Sequence, residues 1–161
     1  MPSSHFNAAG DAHMVDISAK VPSVRTATAS GEVRVHADAA TAIRQGSPKK
    51  GDVLAVARLA AIQATKATST LIPLCHAIPI EAVSVDFDWP QPDRIRCCVT
   101  VRTTAKTGVE MEALTAASVA CLTIYDMVKS IQPGAVIGPL RLVHKTGGSS
   151  GDFRDSDDSR A

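Results

Sequence analysis

From Thr107 to Ile131 the chain runs without a proline, and its apolar residues return at the spacing of a helix. Leu114, Ala117, Cys121, Leu122, Tyr125 and Val128 fall on one broad stripe, so this segment needs a long face laid against another layer. It opens with Thr107-x-x-Glu110, the capping-box pattern in which two side chains satisfy free amides at a helix start. Gln132-Pro-Gly134 stops it. Ionisable groups crowd its ends, Glu110 and Glu112 at the first, Asp126 and Lys129 at the last. An amphipathic helix needs no such surplus, which makes both ends candidates for chemistry.

The rest of the chain supplies a sheet for that helix. Ser23 to His36 reads as extended, with Val33 and Val35 alternating against Glu32 and Arg34 around Gly31. Asp38 to Gln45 is a short helix closed by Gly46, and the loop Ser47-Pro-Lys-Lys-Gly51 follows. Asp52 is the expected N-cap of an Ala-rich helix reaching Thr70. Its narrow stripe is Val53, Val56, Ala57, Ala60, Ala64 and Ala67, with Arg58 and Lys66 lying off it. The prolines of Leu71-Ile-Pro-Leu-Cys-His-Ala-Ile-Pro79 bend the chain. Val83, Val85, Phe87 and Trp89 then alternate with Ser84, Asp86 and Asp88. Beyond the turn Pro90-Gln-Pro-Asp93, Ile95, Cys97, Val99 and Val101 alternate with Arg94, Arg96, Thr100 and Arg102. The two segments predict a hairpin with one buried face and an opposite face pairing acidic with basic residues. Val136 to Lys145 is a last strand, with Leu140 and Leu142 facing one way. Strand, helices, strand, strand, helix, strand is the order of an α+β, ferredoxin-like fold: a four-stranded antiparallel sheet with helices packed on one face. The expected division is an extended segment over 1–22, the folded domain over 23–146, and a mobile tail, Gly/Ser-rich then acidic, over 147–161.

Composition narrows the function. The 161 residues are 45% hydrophobic and 20% charged, with a formal net charge of +1, which lacks the basic excess of a nucleic-acid binder. Aromatics are 3%, too few for the stacking platforms of single-strand binders. The apolar runs read as too short to span a bilayer, and the polar N-terminus lacks a signal-peptide core. Cys75, Cys97, Cys98 and Cys121 show no CxxC spacing. No disulfide framework is expected, and a reducing cytoplasm fits. Phe87 and Trp89, the aromatics that an RNA-binding ferredoxin-like module would expose, fall on the buried face of the hairpin.

Four loci carry residue types suited to chemistry. Lys49-Lys50-Gly51-Asp52 stands at a helix start, where free amides favour an anion, although a solvated basic loop has the same composition. Leu74-Cys75-His76 offers an acid, base or phosphate donor; adjacent side chains rarely converge on one metal, and no further ligands appear at metal-site spacing. Glu110 and Glu112 exceed what a cap requires, and one of them can accept from guanine-like N–H groups. Asp126 and Lys129 share a helix face, either as a surface ion pair or as a proton-transfer pair whose lysine also faces phosphate. Glu112 and Asp126 are fourteen positions apart, about 21 Å along a helix rising ~1.5 Å per residue. They cannot act on one atom from one helix, so a site using both takes a long ligand or the ends of helices from two subunits. The small residues of the middle, Ala113, Ala116, Ala117, Ser118 and Ala120, suit close subunit packing.

Met14-Val-Asp-Ile-Ser-Ala-Lys20, Lys50-Gly-Asp52, Leu71-Ile-Pro-Leu-Cys-His76, Lys106-Thr-Gly-Val-Glu-Met-Glu-Ala-Leu-Thr115 and Ile124-Tyr-Asp-Met127 together closely resemble the cyclic pyranopterin monophosphate synthase (MoaC) family. The likeness runs in order from about Ala8 to Phe153. It implies an enzyme of molybdenum cofactor biosynthesis. The implied substrate is (8S)-3′,8-cyclo-7,8-dihydroguanosine 5′-triphosphate, the product of a partner radical GTP cyclase, and the products are cyclic pyranopterin monophosphate and diphosphate. It further implies a homo-hexamer, a trimer of dimers with sites at dimer interfaces, and no nucleic-acid or membrane partner. Asp126 matches the family's catalytic aspartate; Lys129 and Lys50 match lysines of its anionic pocket and, with Asp126, are expected to be catalytic. Leu74, Cys75, His76, Met111 and Glu112 match its substrate-binding segments, and Lys66 and Lys145 its anionic pocket. Asp16, Lys20, Arg25, Arg58 and Glu110 are further candidates for substrate binding. No resident cofactor or metal is expected, although a divalent cation is compatible with the triphosphate.

Overall fold

The computed structural model describes residues 5–7, 9–46, 51–148 and 151–156. Eight elements follow in order: β1 (Ser23–Arg34), α1 (Ala37–Gln45), α2 (Val53–Leu71), β2 (Ala82–Gln91), β3 (Arg94–Ala105), α3 (Glu110–Val128), β4 (Val136–Thr146) and β5 (Phe153–Arg154). The strands form one antiparallel sheet in the order β2-β3-β1-β4-β5. The first four strands of that order are the ferredoxin-like sheet expected from the chain. The added strand, β5, is two residues long and pairs Arg154 with His144 and Phe153 with Lys145.

The hairpin forms because its alternation gives each strand one apolar face. Val85 lies opposite Val99, and Phe87 opposite Cys97, with Val85, Cys97 and Val99 all buried. On the other face Asp88 accepts two hydrogen bonds from Arg96, at 2.9 and 2.6 Å. Phe87 and Trp89 pack against the core, and each also carries a guanidinium over its ring, from Arg58 and Arg44 respectively.

Asp52 caps α2 as expected, its Oδ1 accepting from the amides of Leu54 and Ala55 at 3.0 Å each. Asp52→Ala is expected to cost about 1 kcal/mol, the usual worth of a lost N-cap, read as a lowered melting temperature. The buried stripe of α2 is Val53, Ala57, Ala61, Ala64, Thr65 and Thr68, whereas Val56 is exposed. The expected stripe is therefore rotated toward the threonines, whose hydroxyls bond back to carbonyls of their own helix and so enter the interior satisfied.

α3 departs from expectation at two points. Its N-cap is Val109, with no side-chain cap, so the Thr107–Glu110 box does not form. Glu110 turns away to bond Lys145 at 3.0 Å. Leu122, counted on the inner stripe, is 57% exposed, while Ala113, Ala116, Ala117, Ala120, Cys121, Ile124 and Val128 are buried. The inner face is selected by size because the sheet lies so close. A Cβ on Gly31 of β1 would stand 2.7 Å from Cys121 Sγ and 3.4 Å from the Ala117 carbonyl oxygen. By length and composition α3 is long and apolar enough to cross a membrane, contrary to the expectation that no segment is; here half of it is buried, as the core helix of a globular domain would be.

Candidate active site

The first turn of α3 stands where several irregular segments meet. The loop before it (Lys106, Thr107, Gly108), the residues leading into β1 and the end of β4 enclose a cleft of about 700 Å³. Among the described residues its cations are Lys20, Arg25, Lys106 and Lys145, faced by the carboxylate of Glu110. A second cleft of about 310 Å³ adjoins it, sharing Lys20, Thr107, Gly108 and Glu110. Its other walls include Leu74, Cys75 and His76 from the proline bend, and Met111 and Glu112 from α3.

Arg25 and Lys106 are positioned by the fold. Arg25 reaches from β1 to the end of β3, where its Nε donates to the Ala105 carbonyl at 3.1 Å and its guanidinium to that of Lys106 at 3.4 Å. Gly148, at φ 89°, passes so near that a Cβ there would meet the Arg25 guanidinium at 2.3 Å. Lys106 Nζ donates to the Ser18 carbonyl at 2.8 Å and so ties the N-terminal segment to the loop before α3. Asp16 stands beside that tie, outside both cleft walls; its carboxylate accepts from the Ser18 hydroxyl and amide, which lowers its pKa.

Glu112 is the buried carboxylate of the second cleft, 4% exposed. Burial pushes its pKa up, and the neighbouring Glu110 adds to that. A carboxyl raised on folding binds more protons in the native than in the unfolded chain. Its favourable contribution is therefore fullest at acid pH and is lost as pH rises from the ordinary carboxylate range through the raised value. Glu112→Gln is accordingly expected to melt higher than the parent at neutral pH, with the difference vanishing near pH ~4. Melting curves at both pH values check this. Cys75, next to Glu112 in the wall, is also raised, first by burial and then by that carboxylate, so its thiol stays protonated and is no ready nucleophile.

The remaining candidates lie elsewhere on the chain. Asp126 and Lys129 occupy the far end of α3, both exposed, with Lys129 Nζ 2.6 Å from Asp126 Oδ1. The hydrogen bond to Asp126 raises the Lys129 pKa and keeps it an ammonium, suited to facing phosphate. Lys66 is exposed on α2, and Arg58 on the same helix lies over Phe87. Lys50 falls outside the described residues. Among the described residues no group of three or more His, Cys, Asp or Glu side chains is arranged to hold a metal ion.

Lys106, Thr107 and Gly108 line the cleft without having been expected to, although they stand inside the family-like stretch 106–115. Gly147 and Gly148, read only as the start of a tail, line it too.

The MoaC family matches residues 14–148, a span that takes in every wall of both clefts except His5. The chain belongs to the MoaC family. A family protein of Rhodopirellula baltica, cyclic pyranopterin monophosphate synthase, is 60% identical over 162 aligned residues, covering 94% of this chain and 93% of that protein. Among solved structures, the ferredoxin protease FusC in complex with Arabidopsis ferredoxin aligns with a TM-score of 0.28 and 14% identity, over 68% of this chain and 10% of that one. That likeness is too slight to bear on fold or function. The family match ends at Gly148, so the glycine walling Arg25 belongs to it.

Proposed function

We propose that this chain is a cyclic pyranopterin monophosphate synthase of molybdenum cofactor biosynthesis. It takes (8S)-3′,8-cyclo-7,8-dihydroguanosine 5′-triphosphate to cyclic pyranopterin monophosphate and diphosphate. The observation that carries the reading is the 60% identity, over nearly the full length of both chains, to a protein of that name. The clefts support it. A guanosine-derived triphosphate has a donor-rich base at one end and several negative charges at the other. Here a carboxylate-lined basin adjoins a basin with four cations, joined through Thr107, Gly108 and Glu110.

The basic basin receives the triphosphate. As a hydroxyl oxygen closes on the α-phosphorus, the bond to the β-phosphate breaks and negative charge grows on the departing diphosphate. Lys20, Arg25, Lys106 and Lys145 stabilise that charge, and Arg25, already fixed by two carbonyls, needs little reorganisation to do so. Glu112 and His76 line the base-binding basin, where the purine-derived ring opens and recloses as a pterin. Asp126 and Lys129 supply proton transfer, and they reach the ligand from a neighbouring subunit of a homo-hexamer built as a trimer of dimers. Lys50 and Lys66 complete the anionic pocket. The enzyme works in the cytoplasm downstream of the radical GTP cyclase.

Incubating the purified protein with the cyclic dihydro-GTP substrate tests this directly. Stoichiometric diphosphate and a pterin product are expected; substrate recovered intact would end the enzyme reading.

A further inference from the structure

We infer that Glu110 is an internal counter-ion of the phosphate basin, paired with Lys145 and competing with the diphosphate end of the ligand for that ammonium. The inference rests on the proposed function for the identity of the ligand, but not for the competition itself. The Glu110 carboxylate stands 3.0 Å from Lys145 Nζ, and both side chains are only partly exposed, at 30% and 24%. Among the described residues Glu110 is the one carboxylate lining a cleft whose other charged walls are Lys20, Arg25, Lys106 and Lys145. A basin evolved only to hold a polyanion tightly would not put a carboxylate among its cations.

Three features show that this placement is specific. Thr107 and Glu110 stand at capping-box spacing, yet no side chain caps α3, and the carboxylate reaches Lys145, thirty-five residues further along. Gly108 leaves the space it needs: a Cβ there would lie 1.9 Å from Glu110 Oε2. Lys145 is fixed from the other side, since its backbone pairs with Ala27 of β1 and Phe153 of β5. The pair is therefore held by the fold.

A triphosphate, with its charge spread over several cations and its base gripped in the second basin, displaces the carboxylate or tolerates it. Free diphosphate lacks the base contacts and meets the same competing charge, so it leaves. Glu110 thereby weakens both by a similar factor, which matters for diphosphate because no base contacts hold it.

Binding of inorganic diphosphate to the full-length protein, measured by titration calorimetry, tests this without turnover. Glu110→Gln is expected to bind diphosphate roughly two- to fivefold tighter than the parent, the effect of freeing Lys145 from a partly exposed ion pair. The gain should disappear in Glu110→Gln combined with Lys145→Ala, compared with Lys145→Ala alone. Turnover should show stronger product inhibition in Glu110→Gln. A merely structural or substrate-holding Glu110 gives equal or weaker diphosphate binding in Glu110→Gln, and that result overturns the inference. Parent protein that binds diphosphate but does not turn over would instead count against the proposed function alone.

Discussion

Asp126→Asn and Lys129→Ala are each expected to lower turnover by roughly 10²–10⁴-fold, the range for loss of a positioned proton-transfer group, with the melting temperature nearly unchanged. The two side chains are exposed and paired at 2.6 Å, and an exposed ion pair contributes little to stability. A purely structural pair would leave the rate within a small factor of the parent. Diphosphate release under saturating substrate separates these outcomes. The position of the pair adds a sharper check, because the far end of α3 lies about 21 Å from Glu112 at ~1.5 Å per residue. Mixing Asp126→Asn with Glu112→Ala, each inactive alone, should restore part of the activity once subunits exchange, since some mixed interfaces then hold both intact side chains. Mixtures that stay inactive after exchange is confirmed would rule out a site shared between subunits.

Gly31→Val is expected to be the most damaging of the stability variants, costing about 1–3 kcal/mol as an overpacked core and more where the backbone cannot yield. The new Cβ would meet Cys121 Sγ at 2.7 Å, and the Ala117 carbonyl and Leu140 Cδ1 at 3.4 Å. One of those contacts is backbone of α3 and cannot rotate away. Either α3 lifts from β1 or β1 bends, and both disturb the packed layer of alanines between them. Urea or thermal unfolding measures the loss. Stability unchanged in Gly31→Val would mean that the helix–sheet distance is set elsewhere.

The strands were legible because their signal is local. Val85, Phe87, Val99 and Val101 announce a buried face by alternation alone, and Asp88 and Arg96 announce the opposite one. The inner face of α3 was only partly legible. Hydrophobicity favours Leu122 over Ala113, but the approach of β1 at Gly31 selects small residues, and that distance is a property of two segments together. The Thr107–Glu110 box failed for a related reason: a cap is a local alternative, and Lys145 outcompetes it from a strand that periodicity cannot bring near. The basic cleft was legible as residue types and not as a place. Lys20, Arg25, Lys106 and Lys145 come from three separate stretches, gathered by the β1–β3 and β1–β4 pairings. Gly148 carried no signal beyond glycine itself, because its importance is the guanidinium behind it.

The closeness of α3 to the sheet also makes that helix a ruler. With its inner face locked against β1, α3 cannot slide or roll, so the separation of Glu112 from Asp126 is fixed by residue count alone. Inserting one residue in the middle would turn the far end by about 100° and carry Asp126 and Lys129 to another side of the helix. Inserting a full turn would keep their direction but move them outward by about 5.4 Å. In the proposed assembly each α3 serves two sites, so an error in its length would be felt twice, once at each end.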